Sequence, residues 1–248
     1  MNLLRSEWIK LRTVRVTLVL AIVAAALPIV VVVLVESLNK HVQDLSGSGL
    51  TGLITGTMVV TALLYGVIGA LNLTSEYSHG TIRTTFAAVP RRWHVLLVKG
   101  GVALAATLVS AIVIMLTSLV IGRIILSARG AHLTFSGDSK AGMVGIVIFC
   151  GLLSLFGFGL GLIIRNSAAA ITSFVLWPLL LENIASLVLS AAGVDDPQPW
   201  LPYQSAFKMI LAEPQFGGSS RLHGGVYFGA VALALVFIGI VINERRDA

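Results

Sequence analysis

Six long apolar runs, separated by shorter polar stretches, set the pattern of this chain. They cover Val16–Val35, Leu50–Leu73, Gly100–Leu126, Ala141–Ile164, Ala168–Leu189 and Gly224–Ile242. A helix needs about 20 predominantly apolar residues to cross a bilayer core, so each run is long enough to span. The run lengths, and the lack of short alternating segments, predict helices rather than the strands of a barrel. Pro28 and Pro178 fall inside the first and fifth runs, where a proline removes a backbone donor and bends the helix. Gly52-x-x-x-Gly56 and Gly157-x-x-x-Gly161 place small residues one turn apart, a spacing that admits close helix contact.

Composition agrees with the pattern. Of 248 residues 56% are hydrophobic and only 11% charged, against about 25% charged in soluble domains. The expected fold is therefore all-α, a single transmembrane domain over residues 1–248 with six spans. The net charge of +6 raises nucleic acid as a partner. Here the basic residues flank apolar spans, where they set orientation and meet lipid headgroups, so the partner they indicate is the bilayer and not nucleic acid. Arg5, Lys10, Arg12, Arg15, Arg83, Arg91, Arg92, Lys99, Arg165, Arg245 and Arg246 fall on one side, eleven in all; Lys40, Arg123, Arg129, Lys140, Lys208 and Arg221 make six on the other. The positive-inside rule then predicts both termini in the cytoplasm. The single cysteine, Cys150, lies in an apolar run and reads as a small buried apolar group.

Three segments lie outside the runs. Residues 1–15 place Leu3, Leu4, Trp8 and Leu11 on one side of a helix and Arg5 and Arg12 opposite, with Glu7 interrupting the apolar arc. An interfacial helix with Trp8 at headgroup depth is the preferred reading, and a basic flank to the first span the competing one. Residues 75–99 are charged and turn-punctuated. Gly80 and Pro90 bracket a short helix with His79, Ile82, Phe86 and Val89 on one face, suited to being gripped by a soluble partner or, more simply, a basic loop. Residues 190–223 carry four prolines and a helix candidate at Tyr203–Leu211 that Pro202 can start. Trp200, Tyr203 and Phe207 suit a membrane interface, so this stretch reads as a short outer re-entrant segment or as a surface loop.

Candidate chemistry is sparse. Glu182 lies within the fifth run, where an ionisable group is costly; it marks a transport pathway or reaches the interface. There is no Gly-x-x-x-x-Gly-Lys-Ser/Thr loop to cradle ATP, no His-Glu-x-x-His helix, no paired cysteines and no Gly-x-Ser-x-Gly elbow. The five histidines are scattered. No catalytic, cofactor-binding or metal-binding residue is therefore expected, and the chain is not expected to be an enzyme.

Three local motifs carry a resemblance. Ser6–Thr13 (SEWIKLRT), the loop motif from Glu76 to Arg83 (EYSHGTIR) followed by Val89–Arg92 and Lys99, and Leu201–Pro202 before a short helix together resemble the permease subunit of an ABC transporter of the type-2 exporter class, particularly actinobacterial-like members. The resemblance implies a multi-pass protein of the plasma membrane whose 75–99 loop forms a cytoplasmic coupling helix. It implies docking of a separate P-loop ABC ATPase there, through Glu76, Tyr77, His79, Gly80, Ile82, Arg83 and Phe86. Glu76 and Arg83 would be charged contacts, Ile82 and Phe86 apolar anchors. ATP would be bound by that partner, and a second permease copy or a sister permease would complete the assembly. An ATP-independent secondary transporter or channel is the alternative, and a membrane-embedded enzyme the third reading.

Overall fold

The structure is a computed structural model, and it describes residues 3–39, 46–78, 80–82, 92–131, 135–211 and 221–245. Helix α1 covers Leu3–Thr13 and passes almost directly into α2, Arg15–Leu38. Then follow α3 at Gly47–Ser78, α4 at Arg92–Ala128 and α5 at Gly137–Ile164. The next span is composite: α6 at Ser167–Leu176, a π-helical turn at Trp177–Leu181, and α7 at Glu182–Ala191. A 3₁₀ turn at Gln198–Trp200 leads to α8 at Pro202–Phe207, and α9 closes the described chain at Arg221–Arg245. Among the described residues six helical stretches are long and apolar enough to cross a membrane, as the six runs predict. The expected all-α class holds, with no strand among the described residues.

Helix α5 is the central post, with α3 packed along it and α2, α4, α6 and α9 around the pair. Small residues make this possible. A Cβ on Gly157 would lie 2.0 Å from the carbonyl oxygen of Gly66, and one on Gly161 would lie 2.7 Å from that of Ala70. The two backbones therefore approach as only glycine allows. Gly52 and Gly56 differ: added Cβ atoms there meet nothing within 4 Å, so this pair makes no close helix contact within the chain. Spacing alone did not separate the two motifs. The large apolar side chains left exposed, such as Val19, Val113, Leu187 and Phe237, clothe the outer helix faces, where a bilayer rather than water is their solvent.

The two prolines inside spans are accommodated differently. Pro28 has no N–H to offer the carbonyl of Ala24 one turn earlier. The hydroxyl of Thr61 on α3 donates to that carbonyl instead, at 2.8 Å. At Pro178 the helix widens into the π turn, where the N–H of Glu182 reaches the carbonyl of Trp177. The Asn183 amide donates to the carbonyls of Pro178 and Leu179.

The connection before the last span folds back onto the bundle. α8 is shorter than the Tyr203–Leu211 expected, but it does begin at Pro202, with Leu201 in extended backbone ahead of it. Trp200 is exposed. Tyr203 and Phe207 pack inward on Phe149 of α5, tilted and edge-on, with ring centroids 5.5 and 6.3 Å away. The segment seats deeply because Gly145 and Gly224 leave room for the carbonyls of Met209 and Ser205, each about 2 Å from where a Cβ would sit.

Candidate functional site

The end of the bundle that carries α1 also carries the 79–91 connection, and the chemistry gathers there. Lys99 is 1% exposed and sits about two turns inside α4. Its Nζ lies 2.6 Å from Glu7 Oε2 on α1 and 2.8 Å from Glu76 Oε1 in the last turn of α3. Lys10 Nζ, one turn on from Glu7, lies 2.8 Å from Glu7 Oε1 and 2.8 Å from Glu76 Oε1. Two cations and two carboxylates thus form one neutral cluster that ties α1 to the bases of α3 and α4. Glu7 is 2% and Glu76 8% exposed. Charges so buried persist only when paired, because removing a partner leaves an uncompensated ion. Burial alone would lower the affinity of Lys10 for its proton; the hydrogen bonds and charges of Glu7 and Glu76 outweigh it and hold Lys10 above the ordinary lysine range.

A second polar group lies beside the first. The Tyr77 hydroxyl donates to Asn243 Oδ1 on α9, and Arg165 stacks over the Tyr77 ring with its guanidinium carbon 5.0 Å from the centroid. Asn243 in turn donates to the carbonyls of Leu162 and Gly239, at 2.8 and 2.6 Å. Arg165 sits at the tight turn into α6, with left-handed backbone (φ 58°). Two adjacent residues of α3 therefore grip opposite neighbours: Glu76 holds α1 and α4, Tyr77 holds α5 and α9.

Gly80 follows with φ 69°, a conformation that favours glycine, and its N–H returns to the carbonyl of Tyr77 to end α3. The turned chain carries Ile82 into an apolar cluster with Leu73, Val95, Leu96, Phe158 and Leu162, where it is 3% exposed. Of the residues expected to meet a docking partner, Glu76, Tyr77 and Ile82 thus have their side chains engaged within their own chain. Gly80 is exposed at the turn. His79, Arg83 and Phe86 lie outside the described residues. Trp8 is 46% exposed, and Leu11 lies on α1 with its side chain outside the described residues.

At the other end of the bundle, Glu182 is buried and acts as a clasp. Its Oε1 accepts from the N–H of Tyr203 at 2.7 Å and from Trp177 Nε1 at 2.9 Å, and its Oε2 accepts from the N–H of Gln204 at 2.9 Å. A carboxylate from the fifth span thus caps the N-terminus of α8, taking up first-turn donors that have no intrahelical acceptor. The pathway residue expected from the sequence has all three donors supplied by protein.

A family model described as ABC-2 family transporter protein matches residues 3–189, from α1 to the end of the fifth span. The chain belongs to the ABC-2 transporter family. It is accordingly a multi-pass membrane component, the permease part of an ABC system. A comparison with curated proteins finds no match. Within this ABC-2 permease, sequence reasoning had singled out Glu76 but missed its partners. Glu7 stood out as a flaw in an amphipathic helix, and Lys99 as a basic residue in the charge count and at the end of the loop motif, neither as a partner of Glu76. The signal was present in both: a carboxylate inside an apolar arc and a lysine at the mouth of an apolar run require counterions.

Proposed function

We propose that this ABC-2 permease is the membrane half of an ATP-driven exporter, docked by a P-loop ABC ATPase at the 79–91 connection. The observation that carries the reading is the grip of Glu76 and Tyr77 on four other helices, immediately before that connection. A push on the loop would reach α3 and α4 directly, α1 through Glu7 and Lys10, and α9 through Asn243. Interfaces of this sort are bistable elements that a partner's binding energy can bias. In this reading His79, Gly80, Arg83 and Phe86 contact the ATPase, while Glu76, Tyr77 and Ile82 pass the movement inward.

The remaining parts follow from the family and the charge bias. ATP binds in the partner chain, since this one has no phosphate-cradling loop. The eleven-to-six bias supports cytoplasmic termini and a plasma-membrane location. A second copy or a sister permease completes the translocation pathway, as the family resemblance implies.

Co-purification with a co-expressed P-loop ABC ATPase tests the docking. Phe86→Ala should remove an aromatic anchor worth about 2 kcal/mol at a hot spot, roughly a thirtyfold loss of affinity. Arg83→Glu should weaken ATPase recovery and abolish stimulated hydrolysis, with insertion and expression near normal. Unchanged recovery and unchanged coupled activity in both variants would move the docking site elsewhere.

A further inference from the structure

Beside the ion cluster lies a cavity of about 410 Å³, lined by Lys10, Asn72, Glu76 and Lys99 with Val14 and Thr17. Thr17 is also in the wall of a second cavity of about 200 Å³, which runs along Ala21, Ile68, Ala103 and Ala106 near Trp8. One end of this hollow is charged; the other is mainly apolar, with the hydroxyl residues Tyr65, Thr107 and Ser110 beside the alanines. The division matches an amphiphile lying with its head at α1 and a chain between the spans.

The charged end says which head. Two lysines and two glutamates cancel, so a purely anionic group would have to compete with Glu7 and Glu76 for Lys10. Glu76 Oε1 is taken by both lysines, yet its Oε2 is buried without a hydrogen-bond partner among the described residues. A buried carboxylate oxygen needs a donor. Lys10, by contrast, keeps 40% of its side chain exposed. A ligand bearing both an N–H cation and an anion answers both ends at once. We propose that this hollow holds one phospholipid with a primary-amine headgroup, its ammonium donating to Glu76, its phosphate against Lys10, and an acyl chain past Thr17 along Ala103 and Ala106. The inference stands apart from the docking of an ATPase and does not depend on it.

The test is retention of lipid by the full chain. The protein is reconstituted in vesicles of equal phosphatidylethanolamine, phosphatidylglycerol and phosphatidylcholine, extracted in mild detergent and weighed by native mass spectrometry. One phosphatidylethanolamine per chain should remain, enriched about tenfold over the other two, as the loss of one charge-assisted hydrogen bond implies. Phosphatidylcholine is the discriminating control, because its quaternary ammonium has no N–H to donate. Glu76→Gln should erase the preference among headgroups. Ala106→Phe fills the apolar end without touching a charge, and should abolish retention of all three lipids while the melting temperature holds; that separates a lipid from a free phosphoethanolamine group. Preferential retention of phosphatidylglycerol, equal retention of the three lipids, or retention unaffected by Ala106→Phe would each overturn the proposal.

Discussion

Lys99 Nζ and Glu7 Oε2 lie 2.6 Å apart across 92 positions of sequence, inside a region where neither side chain meets solvent. The pair makes α1 part of the bundle. An amphipathic helix held only by its apolar face can slide in the headgroup plane. One pinned by a buried ion pair has a fixed position relative to α3 and α4.

Breaking that pin should be costly in a specific way. Lys99→Met leaves the Glu7 and Glu76 carboxylates buried with Lys10 as their one remaining cation in the cluster, so a loss of about 3–5 kcal/mol is expected. The readout is the melting temperature in detergent by tryptophan fluorescence. Lys99→Met combined with Glu7→Gln should recover part of the loss, because one uncompensated charge is gone. A single variant as stable as the parent would mean that the cluster is not paired as described.

The Glu182 clasp predicts a local rather than global effect. Glu182→Ala strips acceptors from the N–H groups of Tyr203 and Gln204 and from the Trp177 indole. Each lost bond to a charged group costs about 1.5–3 kcal/mol. Ser205→Cys, in a Cys150→Ala background, reports on the segment because Ser205 is buried. Maleimide labelling at 205 should be slow with Glu182 present and fast without it. Equal rates would show that α8 is held by packing alone.

Glycine contacts distinguish the two spaced motifs. Gly157→Ala would drive a Cβ to 2.0 Å from the Gly66 carbonyl oxygen, so α3 and α5 must separate, at about 1–3 kcal/mol or more. Gly56→Ala has open space and should change stability by no more than about 0.5 kcal/mol. Side-by-side thermal melts decide it, and comparable shifts in the two variants would contradict the packing.

Thr61 supplies the donor for the Ala24 carbonyl that Pro28 leaves without one. Thr61→Val keeps the shape and removes the hydroxyl, leaving the Ala24 carbonyl buried without its donor; about 1–3 kcal/mol should be lost. Combining it with Pro28→Ala restores the helix's own N–H, so Thr61→Val should then be nearly neutral. A double-mutant cycle with no coupling would sink the assignment.

Topology has its own test. Trp200 is exposed, and in sealed right-side-out cells Trp200→Cys in the Cys150→Ala background should react with a membrane-impermeant maleimide added outside. Reaction only after the cells are opened would reverse the orientation drawn from the basic residues.

Hydrophobic run length by itself determined the class of this protein and the number of spans among the described residues, because a bilayer leaves a backbone almost no alternative to a helix of fixed minimum length. The proline at 202 likewise announced the start of α8, since its fixed φ and missing N–H suit a first helical turn. What the runs could not carry was partnership. Gly52–Gly56 and Gly157–Gly161 are the same pattern, and only the placement of α3 against α5 made one a contact and left the other open. Glu7, Glu76, Lys10 and Lys99 read separately as a blemish, a docking charge and two topological markers. Their meeting is a long-range event set by how α1 lies across α3 and α4. Glu182 was legible as costly, but its role depended on a helix 20 residues later folding back to bring two N–H groups to it. Local sequence states that a buried charge needs a partner; only the tertiary structure says which one it has.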